Sequence, residues 1–174
     1  EYRTVGSVFG EVTFLKKFTF RSTLYADISN IDKRQYTPLY YAYNPKNDLP
    51  YLYSQTTKIQ QNNDSYRKYQ QDHVLNYKTS FGDHNLTLTG GFTTYYFGYF
   101  GRQGTAGQNG VDGTPIPNDP RFWYITSGFE NSGGTSASSS QSEYSTVSYL
   151  ARALYNYKGK YFLNASFRND ASSR

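Results

Sequence analysis

Two histidines, His73 and His84, are the only imidazoles in the 174 residues, and each lies beside an aspartate, Asp72 and Asp83. A hydrolytic site needs a nucleophile, a base and an orienting group converging on one point, and neither pair comes with a third member in a recognisable arrangement. His73 reads as a wall residue and His84 as a turn residue. The chain has no cysteine, which excludes disulfides, thiolate metal sites and a cysteine nucleophile. Asp112, Asn118 and Asp119 offer oxygen ligands for Ca²⁺ but lack the regular spacing of a calcium loop. Gly104 to Gly113 is glycine-rich without the Lys-Ser/Thr ending and helix of a phosphate loop. The sequence predicts no enzyme, no cofactor and no bound metal.

Aromatic side chains are the stronger signal, with 20 Tyr, 12 Phe and a single Trp. Arg121-Phe122-Trp123-Tyr124 can stack on cargo such as sugar rings or form a small aromatic core of its own loop. Tyr40, Tyr41, Tyr43, Tyr51 and Tyr53 carry the same two readings, with contact to a capping partner as the functional one. The formal charge is +5, yet the basic residues are scattered in short groups such as Lys16-Lys17 and Lys33-Arg34. No stripe or motif for nucleic acid appears.

These side chains must be positioned by strands. The wealth of Tyr and Phe favours β structure, and no apolar run approaches the ~20 residues of a membrane helix. Period-two alternation marks six strands in three hairpins, about 4–30, 66–97 and 143–170. In the second strand Phe18, Phe20, Leu24, Ala26 and Ile28 share one face, and Thr19, Arg21, Thr23, Tyr25, Asp27 and Ser29 the other. The turns fall at Lys16-Lys17, Gly82-Asp83 and Lys158-Gly159. Between the hairpins lie two long stretches, about 31–65 and 98–142, rich in Gly, Pro, Asn and Ser, which read as irregular loops.

Short turns at one end and long loops at the other are the asymmetry of outer-membrane barrels, whose tight turns face the periplasm. The candidate strands exceed the ~9–11 residues that a tilted strand needs to cross lipid, which suggests a large barrel. Aromatics gather near both ends, as at a bilayer interface, although Tyr and Phe also pair across any sheet. Six strands cannot close a common membrane barrel, and an open edge in lipid is excluded. The expected fold is therefore an all-β, antiparallel transmembrane barrel segment belonging to a larger chain, with Glu1-Tyr2-Arg3 read as an internal start. At roughly 29 residues per strand, a plugged 22-strand barrel needs on the order of 640 residues. The polar residues Arg21, Asp27, Lys68, Asp72, Lys78, Arg152 and Arg168 would line the lumen or brace a plug.

The third hairpin carries a family likeness. Its Tyr-rich strand from Tyr149 to Tyr157, the turn Lys158-Gly159-Lys160-Tyr161 and the run Ala165-Ser166-Phe167-Arg168-Asn169-Asp170-Ala171-Ser172-Ser173-Arg174 resemble the barrel of SusC/RagA-like TonB-dependent transporters, with Ala171 where that family usually has Gly. His84-Asn85-Leu86-Thr87-Leu88-Thr89-Gly90-Gly91-Phe92 is similar to a strand preceding a long loop in the same family. The resemblance covers about a fifth of the chain. It implies an active importer of the Gram-negative outer membrane, held among outer-membrane lipid, with an N-terminal plug absent from these residues and energy delivered by TonB. It also implies a SusD-like surface lipoprotein as lid, and oligosaccharide or peptide cargo. Two rival readings are a secreted or surface glycan-binding β-sandwich, since half-buried sheets also alternate, and a passive porin or barrel enzyme.

Overall fold

The computed structural model describes residues 1–109, 115–125 and 135–174. Eight strands follow in chain order: β1 (Tyr2–Phe14), β2 (Phe18–Thr37), β3 (Tyr40–Asn44), β4 (Leu49–Ser54), β5 (Thr56–Phe81), β6 (His84–Asn109), β7 (Ser136–Tyr157) and β8 (Tyr161–Ser172). Six of them form one sheet in the order β1-β2-β5-β6-β7-β8, and β3 pairs with β4 in a separate two-stranded sheet. A single sheet whose strands pair in sequence order is a barrel-type meander; the two packed sheets of a sandwich are not present among the described residues.

The three predicted turns are there. Gly82 and the pair Lys158 and Gly159 have positive φ, and so do Leu15 and Lys16 in the first turn. Successive positive φ values suit the primed turns that match strand twist. The stretches expected as irregular loops are a different matter. β2 runs on to Thr37, β5 begins at Thr56, β6 continues to Asn109 and β7 starts at Ser136, so much of 31–65 and 98–142 is strand. The added segments carry few apolar side chains, Ile59 alone in Thr56 to Ser65, and show no apolar alternation. Ladder hydrogen bonds hold them, and those leave no mark in side-chain hydropathy.

The chain divides into two compact units: a wall of Tyr2–Ser29, Tyr66–Tyr99 and Ser142–Arg174, and a loop unit of Glu1, Asn30–Ser65 and Phe100–Gln141. In the wall, side-chain contacts sort the residues onto two faces. On one, Arg3 pairs with Asp27, Thr89 donates to Asn76, Thr93 donates to Asp72 and Arg152 donates to Asn164. On the other, Phe14 stacks on Phe18, which meets Tyr77. There too an aromatic ladder crosses four strands through Phe20, His73, Phe92 and Tyr149, at ring separations of 6.1, 6.1 and 5.2 Å. β7 and β8 keep an unbroken register from Thr146↔Ser172 to Tyr157↔Tyr161, which places Ala151, Ala153, Ala165 and Phe167 on the aromatic face.

Candidate functional site

The loop unit builds a small core of its own. Ile59 and Ile116 are fully buried. Thr57, also buried, donates its hydroxyl to the Gln108 carbonyl at 3.3 Å and accepts from the Ile116 amide at 2.9 Å. A buried hydroxyl used in both directions ties the segment after Pro115 to β5 and β6 without an unmatched polar group. The Tyr36 hydroxyl donates to the Ile116 carbonyl at 2.8 Å, and burial pushes it above its ordinary pKa, so it stays a donor.

On this base sits the aromatic segment. Asp119 caps a short 3-10 helix, Pro120–Phe122, by accepting from the Arg121 amide at 3.0 Å, and its carboxylate also takes the Arg121 guanidinium at 2.7 Å. That guanidinium, followed by the amide, holds the carboxyl below its usual range. Trp123 lies flat on Tyr36, centroids 5.3 Å apart and planes within 9°. Its indole donates to the Pro117 carbonyl at 3.3 Å, while its own carbonyl accepts from Gln61 at 2.9 Å. Arg34 bonds the Pro120 carbonyl at 3.4 Å and faces the Tyr124 ring at 5.4 Å. The amide of Trp123 donates to the Pro120 carbonyl at 3.4 Å, so its amide, carbonyl and indole N–H are all used internally, whereas Phe122 and Tyr124 stay about half exposed. The structure thus separates the trio: Trp123 is a scaffold, and its two neighbours point outward.

Beside this segment lies an open cavity of about 790 Å³ lined by Asp32, Arg34, Gln61, Asn63, Arg102 and Ile125, among others. Asp32 accepts from Asn63 across its floor. The second aromatic group stands on the β3–β4 hairpin. Tyr40 stacks on Tyr53 at 5.2 Å, and Tyr41 and Tyr43 are 71% and 57% exposed. No ring contact joins the two aromatic groups among the described residues.

In the wall, the structure brings together only part of the predicted polar set. Asp27 is buried and takes Arg3 through two hydrogen bonds of 2.9 Å and Lys68 at 3.5 Å. Arg21 lies over Phe9 at 4.3 Å, Asp72 accepts from Gln70 and Thr93, and Arg168 bonds Asp170 at 2.8 Å. These groups share the polar face but do not converge on a point. Arg3, Tyr36, Thr57 and Gln61 are the residues that sequence reasoning did not single out; nothing about a lone Thr or Gln in a polar run marks it as a tie. Asp112 and Gly110 to Gly113 lie outside the described residues. No group of three metal-ligating acids or histidines occurs among the described residues.

No family model matches the chain, and no curated protein matches it. Solved structures do. A chain of the RagAB peptide transporter superposes on 99% of these residues with a TM-score of 0.72 at 20% identity. The chain has the fold of a barrel segment. Chains of the RagAB peptide importer in its open-open and closed-closed states match over the same 99%, with TM-scores of 0.72 and 0.68 and identities of 18% and 19%. The segment spans 17–18% of the length of these chains. It matches one stretch of those longer chains.

Proposed function

We propose that this segment is part of the wall of a nutrient importer in the Gram-negative outer membrane. The observation that carries the reading is the superposition of nearly the whole chain on one arc of a peptide importer, joined to a sheet with one apolar and one polar face. On this reading the aromatic face meets lipid. The face bearing Arg21, Asp27, Lys68, Asp72, Lys78, Arg152 and Arg168 lines the lumen of a plugged barrel of about 22 strands. Import is powered by TonB, and a SusD-like lipoprotein covers the external mouth. The cargo is peptide or oligosaccharide, with peptide favoured by the matched importers. Phe122, Tyr124, Tyr40, Tyr41 and Tyr43 supply exposed rings for cargo or lid, and Trp123 holds the first two in place.

The test uses the full-length parent protein in its own outer membrane. Uptake of labelled oligopeptides should stop when the inner-membrane proton gradient is collapsed and when TonB is deleted. Y41S and Y43S together should weaken lipoprotein co-purification or cargo uptake while leaving barrel yield unchanged. Uptake that persists without TonB makes the protein a passive pore and ends the importer reading.

A further inference from the structure

We propose that the apolar face of the wall carries a binding groove for an anionic phospholipid, seated between β2, β5, β6, β7 and β8 with its headgroup at the basic turns. The proposal rests on the outer-membrane reading above. The groove has a volume of about 640 Å³. Its floor is made of small residues on three adjacent strands, Gly90, Ala151, Ala153 and Ala165, and bulky side chains including Leu75, Leu88 and Phe167 stand around it. A Cβ built on Gly90 meets nothing within 4 Å, so the trough is open and not filled by a neighbouring side chain. Small residues flanked by large ones leave a trough, and such a trough exposed to water would be an uncovered apolar surface.

The choice of occupant comes from charge. Four lysines stand in the two flanking turns, Lys16, Lys17, Lys158 and Lys160, against one acid in the turn between them, Asp83. Lys158 reaches Asp83 at 3.6 Å and lies 5.4 Å from the Tyr157 ring, while Lys17 bonds Thr79 at 3.0 Å. The adjacent turns are tied by the Lys158 amide donating to the Asp83 carbonyl at 2.9 Å. Between turn and groove stands a polar-tipped aromatic cluster, His84 packed with Phe81, Tyr155 and Tyr157 at 4.7–5.9 Å and hydrogen-bonded to the Tyr155 hydroxyl. Rings of this kind settle at the headgroup level. From Tyr157 to Ala153 the strand rises roughly 13 Å at ~3.3 Å per residue, close to the ~15 Å of one hydrocarbon leaflet. A phosphate at the lysines therefore brings the far end of an acyl chain to the small-residue floor. A second copy of the chain would meet the same net positive turns on its partner, which disfavours self-association through this end.

Native mass spectrometry of the full-length protein, released from nanodiscs of phosphatidylglycerol or of phosphatidylethanolamine, tests this. The intact protein should retain phosphatidylglycerol in preference. G90F, which fills the trough at a position with open space and ordinary φ, should abolish retention. K158Q and K160Q should each weaken it on the order of fivefold, the effect of about one surface lysine on an anionic headgroup. Heat-modified gel mobility shows that each variant is folded. Equal retention of the two lipids, or unchanged retention in folded G90F, overturns the site. So does a dimer in the intact protein that G90F dissociates, because a second copy then covers the face. Peptide uptake by the same variants reports on the importer reading separately, since a lost lipid site leaves the lumen intact.

Discussion

The two units of this chain are built to opposite rules. The loop unit buries Ile59, Ala106 and Ile116 and leaves polar groups and tyrosines outside, as a water-soluble domain does. The wall buries a carboxylate, Asp27 at 3% exposure, and on strands paired on both sides leaves Leu24 at 47%, Leu88 at 40% and Leu75 at 39%. Polar groups inside and hydrocarbon outside make sense when the outer surroundings are lipid. There the apolar face gains its favourable contacts from acyl chains, and the polar face must satisfy itself through pairs such as Asp27 with Arg3. On the proposed outer-membrane reading, each unit follows the rule of its own surroundings.

The largest effect that separates the units comes from the core of the loop unit. I116A removes a fully buried side chain and should cost about 4 kcal/mol of local stability. Amide hydrogen exchange of the full-length protein reads this as roughly thousandfold faster exchange in the peptides holding Thr57 to Gln61 and Gly104 to Gln108. Protection in Phe18–Ser29 and His84 to Tyr99 should not move. Loss of protection in both sets would show that the units unfold as one, and the contrast between them would collapse.

The wall answers to a different substitution. L24R places a charge on the apolar face at a side chain already 47% exposed, and in lipid it should cost about 3 kcal/mol. Y25R, one residue along and on the opposite face, should cost far less. Urea unfolding of the full-length barrel from phospholipid vesicles measures both. Equal costs for the two variants would mean that neither face meets hydrocarbon.

How much of this was legible in the sequence depends on the same division. Phe18 to Ile28 and Tyr161 to Phe167 alternate because one face is apolar, so strands, turns and faces could be read directly from them. Thr56 to Ser65 and Gly101 to Asn109 are strands as well, yet Gln60, Gln61, Asn62 and Asn63 look alike on both faces and the period disappears. Composition pointed to loops because the two stretches are rich in Gly, Pro, Asn and Ser, and Gly, Pro and Asn are depleted in strands. The Trp123 segment was seen as a cluster, but its dependence on Tyr36 and Gln61 was not. Those partners are 87 and 62 positions away, and only the fold supplies the pairing. Asp27 was read as polar-facing, while its partner Arg3 was passed over because it lies in the start read as internal, ahead of the first strand expected from about residue 4.

A smaller effect probes the turns of the wall. Leu15 and Lys16 both carry positive φ, 50° and 56°, a conformation that costs an L-residue with a Cβ about 1 kcal/mol relative to glycine. K16G should therefore stabilise the first hairpin by about that amount, visible as slower unfolding of the barrel in urea. The corresponding turn at Lys158 already has Gly159 beside it. An unchanged or faster unfolding rate for K16G would mean that the Lys16 side chain makes a contribution at least as large as the backbone strain it carries.

The smallest effect is set by pH and belongs to the loop unit alone. Asp119 has its carboxyl held below the ordinary aspartate value by the Arg121 guanidinium, and secondarily by the Arg121 amide it caps. A carboxyl whose folded pKa is depressed adds stability that is fully present above its unfolded value near 3.8. That contribution is lost as pH falls through the lower folded value. The segment from Pro115 to Ile125 should hence keep its structure from neutral pH down to the ordinary aspartate range and loosen only below it. Hydroxyl-radical footprinting of Phe122 and Trp123 in the full-length protein measures this. Modification should be flat between pH 7 and 5 and should rise toward pH 3. D119N at pH 7 should show part of that rise, since Asn still accepts from the Arg121 amide but gives up the ion pair. A rise already complete by pH 5 would place the titration on another group and remove Asp119 as the clasp that keeps Phe122 and Tyr124 turned outward.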